Sequence, residues 1–268
     1  MHLVSLPRVA SWLLLLACLA PLQPAGAQSF CASDGQPRPT RLMERFINAD
    51  CDICWQDPAT PKADDANDAN DTNGGYVVLD WIVPNDAGGK GDDAPLSAVA
   101  SRDGLARLAQ MAKNVPMKTM AITHAVTDFK GLKTSTLRVS HGLPVSGYLG
   151  TSIELKPQPA VAKNQRWTAW LALVETLPAG TEGSPVARNL VRNAFQAAWN
   201  SDQNPSVLEP NRFFDARSMS VAQGVNPDKL RVIGWVENAK GQVLAAAQSR
   251  CVSPAETQSD RPSVTPAS

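Results

Sequence analysis

Apolar positions in this chain of 268 residues fall into three regimes. The first is a single run, residues 9–22, containing four consecutive leucines from Leu13 to Leu16, with Arg8 before it and Pro24-Ala25-Gly26-Ala27 after it. The run is short for a bilayer span and ends in small residues at Ala25 and Ala27, so it predicts a secretory signal peptide over residues 1–27 and a mature chain from Gln28. Leu15-Leu16-Ala17-Cys18 partly matches a lipobox, which makes a lipoprotein anchored through Cys18 the alternative.

The second regime mixes short apolar runs with polar loops. Residues 42–47 have the spacing of a short strand and lead directly into Cys51-Asp52-Ile53-Cys54. From Gln56 to Gly75 the chain is rich in Asp, Asn and Pro. Pro58 and Pro61 oppose a helix, and no apolar face exists to dock, so this is an insertion loop. No register in it fits a calcium loop with its closing Glu. Residues 76–83, bounded by Gly75 and Pro84, form a nearly continuous β-branched and aromatic run that predicts a buried strand. After a second loop rich in Asp and Gly, Ser101 can cap a helix that carries Leu105, Leu108, Ala109 and Ala112 on one face and stops near Asn114, ahead of Pro116.

The third regime is a succession of strands. Residues 137–140, 148–155, 167–175, 213–221, 230–237 and 242–251 are apolar or alternating runs separated by Gly, Pro and Asn, and Asn238-Ala239-Lys240-Gly241 reads as a hairpin turn. Residues 184–198 fit both a helix that starts at Ser184-Pro185 and an alternating strand edge. The tail 253–268, rich in Pro, Ser and Thr, predicts disorder.

The pattern divides the chain into a signal peptide (1–27), an α/β unit (28–130) with an insertion at 56–75, a β-sandwich domain (131–252) and a disordered tail. Strand, dithiol, strand and helix in that order outline half a thioredoxin fold. The expected fold class is therefore α+β: a thioredoxin-like α/β domain with acidic loop insertions, followed by a β-sandwich.

Charge and cysteine content narrow the chemistry. The chain has 25 Lys and Arg against 25 Asp and Glu, and cleavage before Gln28 removes only Arg8 from that balance. A near-neutral chain without a basic stripe gives no footprint for nucleic acid, and no second apolar run is long enough to span a bilayer. Beyond residue 27 the cysteines are Cys31, Cys51, Cys54 and Cys251. An even number in an exported chain favours disulfides, and the pairing preferred is Cys51 with Cys54 and Cys31 with Cys251, the second a structural bridge closing a very long loop.

For Cys51 and Cys54 two readings stand side by side. In one they are the catalytic pair of a thiol-disulfide oxidoreductase, Cys51 attacking and Cys54 resolving, with an unidentified protein thiol or disulfide as partner. In the other they form a permanent disulfide in a non-catalytic envelope protein that binds or supports a partner. Against the first, Asp50 and Asp52 flank Cys51 and raise its thiol pKa, and the following loop leaves room for about one or two turns of helix. Pro116 and Pro144 both compete for the cis-proline place of a thioredoxin. A third reading, metal held by Cys51 and Cys54 with His124 or His141, lacks a second close ligand pair, so neither a metal nor another cofactor is expected. Trp167, Trp170, Trp199 and Trp235 are more readily core than recognition surface, and Arg188 with Arg192 suits an anion site or an ordinary solvated face.

Glu44-Arg45-Phe46 leading to Cys51-x-x-Cys54, Leu79-Asp80-Trp81, residues 171–175, Gly183, residues 187–192 and the closing 232–243 hairpin together resemble a family of secreted bacterial proteins of unknown function. The resemblance implies a thioredoxin-like N-terminal domain and a β-rich C-terminal domain, while the signal-peptide pattern predicts an exported location, periplasmic or secreted.

Overall fold

The computed structural model describes residues 31–57, 75–85, 93–127, 136–156, 166–200 and 212–251. The signal peptide, Cys18, most of the 56–75 insertion and the 253–268 tail lie outside the described residues.

The strands, in chain order, are β1 (Cys31–Ala32), β2 (Arg41–Asn48), β3 (Tyr76–Val83), β4 (Thr119–Ala125), β5 (Thr136–His141), β6 (Tyr148–Lys156), β7 (Arg166–Leu177), β8 (Arg188–Asn200), β9 (Phe213–Ser220), β10 (Leu230–Asn238), β11 (Val243–Gln248) and β12 (Arg250–Cys251). Two α-helices join them among the described residues: α1 (Asp52–Trp55), a single turn, and α2 (Arg102–Gln110). A five-stranded sheet runs β12-β1-β5-β6-β9 and a seven-stranded sheet runs β11-β10-β7-β8-β3-β2-β4. No helix among the described residues is long and apolar enough to cross a membrane.

β7 explains the layering. Trp167, Ala169, Leu171 and Leu173 point into a core shared with Val139, Leu149 and Ile153 of the smaller sheet. The intervening Trp170, Ala172 and Val174 face a second core with Leu79, Trp81 and Leu108. A strand apolar on both faces must be covered on both, and here the smaller sheet covers one side and α2 the other. The sheets pack tightly at Gly234, where a Cβ would stand 2.5 Å from Val139 Cγ1 and 2.9 Å from Ile153 Cδ1. On the opposite side α2 lies close because Gly104 has no side chain, since a Cβ there would meet Val83 Cγ1 at 2.7 Å. Ser101 caps α2 by accepting the Asp103 N–H at 3.1 Å.

This architecture corrects the expected fold class. No thioredoxin-like α/β domain is present among the described residues. β2, which delivers the Cys-x-x-Cys, runs parallel to β3, and β3 bridges in parallel to β8 at Asp80 and Leu190. Strands from either side of residue 130 thus share one sheet, and the described residues are mostly β. The physical reason is that β3 is buried, so the backbone N–H and C=O groups on its edge away from β2 also need partners, and β8 lies along that edge. The helix that starts within the dithiol, α1, ends at Trp55 after a single turn instead of continuing along the sheet. The ambiguous 184–198 stretch resolves as strand: β8 pairs antiparallel with β7 along its whole length, with a bulge between Leu173 and Val174.

Candidate functional site

Cys51 and Cys54 are joined in a disulfide at the corner where β2 ends. Asn48 builds that corner. Its N–H donates to the Lys118 carbonyl at 2.8 Å, its side-chain amide donates to the Pro116 carbonyl at 3.0 Å, and its side-chain oxygen accepts the Asp50 N–H at 2.9 Å. The Cys51 N–H then donates to the Asn48 carbonyl at 2.9 Å. Cys51 itself is 7 % exposed. Trp55, at the end of α1, is buried against Ile47, Ile82 and Leu190.

Arg188 locks the far side of this turn. Its Nη2 donates to the Trp55 carbonyl, its guanidinium lies 4.5 Å from the centre of the Trp55 ring, and its Nε donates to Ser184 Oγ at 2.7 Å. Asp80 lies 3.6 Å from Arg188 Nη1 and also pairs with Arg45. Burial pushes the Asp80 carboxyl pKa upward, with the charges of Arg45 and Arg188 opposing it. Burial likewise pushes Arg188 down to about 10, against the pull of Asp80. With no solvent-exposed surface, Arg188 is part of the core and not an anion site on a solvated face. Arg192 pairs with Glu175 at 2.5 Å.

A second buried ionic cluster lies under α2. Arg107 reaches Glu44 and Glu237, each at 2.6 Å, and stands 4.9 Å and 5.4 Å from the ring centres of Trp170 and Trp235. The two indoles are stacked at 5.7 Å, and Trp235 Nε1 donates to Glu237. Burial raises the Glu44 pKa, but Arg107 and a contact with His124 at 3.0 Å outweigh it and hold this carboxyl below its ordinary value. Trp167 and Trp199 are buried as well, so all four tryptophans weighed from the sequence are core residues.

The other disulfide joins Cys31 and Cys251 on adjacent short strands. In the register Cys31 faces Cys251 on one side and His141 on the other. His141 is buried and its Nδ1 is bonded to the Gly142 carbonyl at 2.9 Å. Since a carbonyl can only accept, Nδ1 carries the hydrogen and Nε2 the lone pair. Burial lowers the His141 pKa, the Gly142 bond partly opposing it. Cys251 is exposed and contributes to the wall of a cleft of about 550 Å³, with Gln36, Lys229, Arg231 and Arg250 also lining it.

The structure therefore keeps the two histidines away from Cys51 and Cys54. His124 sits opposite Leu42, at the other end of β2, and His141 stands beside Cys31. Pro116 and Pro144 both have trans peptide bonds, and Pro144 belongs to the turn between β5 and β6 in the other sheet, so no cis-proline faces the dithiol among the described residues. The sequence reading missed Arg107, Glu44 and Glu237, whose charges gave no sign that they would be buried together. It also missed the neighbourhood of His141, which depends on a pairing between strands far apart in the chain.

No protein-family model matches the chain, and no curated protein matches it. Among solved structures it is similar to HBP35 of Porphyromonas gingivalis, with 12 % identity over 87 % of this chain and 80 % of that one, at a TM-score of 0.46. It is also similar to a DUF3823 family protein from Bacteroides ovatus, with 12 % identity over 51 % of this chain and 65 % of that one, at a TM-score of 0.28. At these scores neither neighbour carries an assignment of fold or function. The expected membership in a thioredoxin-like secreted family is overturned by the two-sheet architecture itself, in which the Cys-x-x-Cys belongs to a mostly β chain.

Proposed function

We propose that this is a non-catalytic exported protein with a binding or structural role, in which Cys51–Cys54 is a permanent disulfide. The observation that carries the reading is the closed corner around Cys51. The sulfur-bearing turn is fixed by Asn48 on one side and by Arg188 on the other, and Cys51 is almost wholly buried. An exchange catalyst needs a reachable sulfur on its attacking cysteine and a stabilised thiolate there, and of this pair it is Cys51 that is buried while Cys54 is half-buried. In this chain the nucleophile position is flanked by Asp50 and Asp52, and α1 is a single turn that offers little dipole. Two disulfides in one chain suit an oxidising compartment, which with the signal-peptide pattern supports the periplasm or the exterior of the cell. The binding half of the proposal is supported by the cleft at the start of β10.

The test pairs stability with exchange activity. Replacing Cys51 and Cys54 together by Ser should lower unfolding stability, while the unmodified protein should not accelerate reduction of a disulfide peptide by a small thiol. Acceleration that disappears in the double variant would overturn the proposal.

A further inference from the structure

We propose that Cys31, Cys251 and His141 form a zinc site when the disulfide between the two cysteines is reduced. Three adjacent strands, β12, β1 and β5, bring these residues into line: Cys251 opposite Cys31, and Cys31 opposite His141. Residues directly opposite in antiparallel strands share a face, so the three side chains converge. Their ligand atoms all lie within 4.8 Å of one another. Ligands of a tetrahedral zinc stand roughly 3.5 to 4 Å apart, a spacing this cluster reaches with small movements.

The histidine supplies the independent sign. Its residue is 4 % exposed, its Nδ1–H is committed to the Gly142 carbonyl, and Nε2 is buried with no hydrogen-bond partner among the described residues. A buried polar atom left unpaired is uncommon in a folded protein and calls for an account. A backbone carbonyl fixing one ring nitrogen while the other aims at a metal is the arrangement found around ligating histidines. Access comes from the cleft: Cys251 is exposed in its wall, giving a reductant, the ion and a fourth, water ligand a way in.

The chemistry balances with a dithiol as reductant. It gives two electrons and two protons to the Cys31–Cys251 bond and is itself oxidised to a disulfide, leaving two thiols. Zinc then displaces both thiol protons and takes neutral His141 Nε2 as third ligand. The oxidised chain cannot hold the ion, because its sulfurs are spent on each other. The disulfide and the metal are thus alternative ties between the first and last strands of the smaller sheet.

The experiment uses the full chain with Cys18, Cys51 and Cys54 replaced by Ser, reduced with a phosphine and titrated with zinc against a chromophoric chelator. One zinc per reduced chain, none for the oxidised chain, and at least about tenfold weaker binding in His141→Ala are expected. No uptake by the reduced chain, equal uptake by the oxidised chain, or affinity unchanged in His141→Ala would overturn the proposal. If reduction unfolds the variant, zinc should restore its far-ultraviolet dichroism and raise its melting temperature, and failure to do so counts equally against the site. In the unmodified reduced chain, zinc should shield Cys31 and Cys251 from alkylation. Shielding of Cys51 and Cys54 instead would also overturn it.

Discussion

Arg188 and Trp55, 133 residues apart, are joined twice: the arginine donates to the tryptophan's backbone carbonyl and lays its guanidinium over the tryptophan's ring. The pair fastens β8 to the turn that carries Cys51 and Cys54. That corner therefore has a covalent tie and a non-covalent one, and each can be removed separately.

Replacing Arg188 by Met should be severe. The Trp55 carbonyl loses its bond from Arg188, and buried Asp80 loses one of its two arginine counter-charges. Breaking one partner of a buried ionic cluster costs about 3 to 5 kcal/mol. Urea unfolding should show a loss of that size, and a loss below about 1 kcal/mol would mean that Arg188 does not hold the turn.

Replacing Cys51 and Cys54 by Ser should be milder. The bridge closes a loop with a sequence separation of 3, and the loop-entropy relation gives about 2 kcal/mol for so short a ring. Cys31–Cys251, with a separation of 220, corresponds to about 5 kcal/mol by the same relation. Equilibrium unfolding of the two Ser pairs should rank them in that order.

The Arg107 cluster sets an acid limit. Glu44 has a folded pKa depressed below the ordinary 4.5, so its contribution to stability is present above 4.5 and is lost as pH falls through the folded value. Melting temperature should therefore decline on the acid side of pH 4.5. In Glu44→Gln the starting stability should be lower and this part of the acid decline flatter. An unchanged acid slope would show that Glu44 is not held ionised by Arg107.

Gly234→Ala should destabilise by about 1 to 3 kcal/mol through overpacking between the sheets. The added methyl meets the side chains of Val139, Ile153 and Leu171. Shortening Val139 to Ala in the same chain should recover part of the loss, giving a non-additive double-mutant cycle in thermal or urea unfolding.

The sequence was informative wherever period and burial coincide. β3 and β7 announce themselves because their β-branched and aromatic residues suit strands covered on both faces, and α2 because Ser101, Asp103, Leu105 and Leu108 agree on one helix. What stayed hidden was pairing. Nothing local in residues 76–83 says that their neighbour on one side is β8, and that single neighbour converts an apparent α/β unit into part of a seven-stranded sheet. β4 escaped notice because Thr119–Ala125 is an edge strand of modest hydrophobicity, with only one face packed. The Cys-x-x-Cys drew attention through its spacing, whereas His141 and Cys251 lie 110 residues apart and meet only through the register of three strands.

The most direct test of the central claim is the reduction potential of Cys51–Cys54 in the folded protein. Equilibration in graded thiol redox buffers, followed by alkylation and peptide-resolved mass spectrometry, reads this pair apart from Cys31–Cys251. A permanent structural disulfide predicts a value below about −300 mV. A value between about −120 and −270 mV would place Cys51 and Cys54 among exchange catalysts and contradict a purely structural role for the pair.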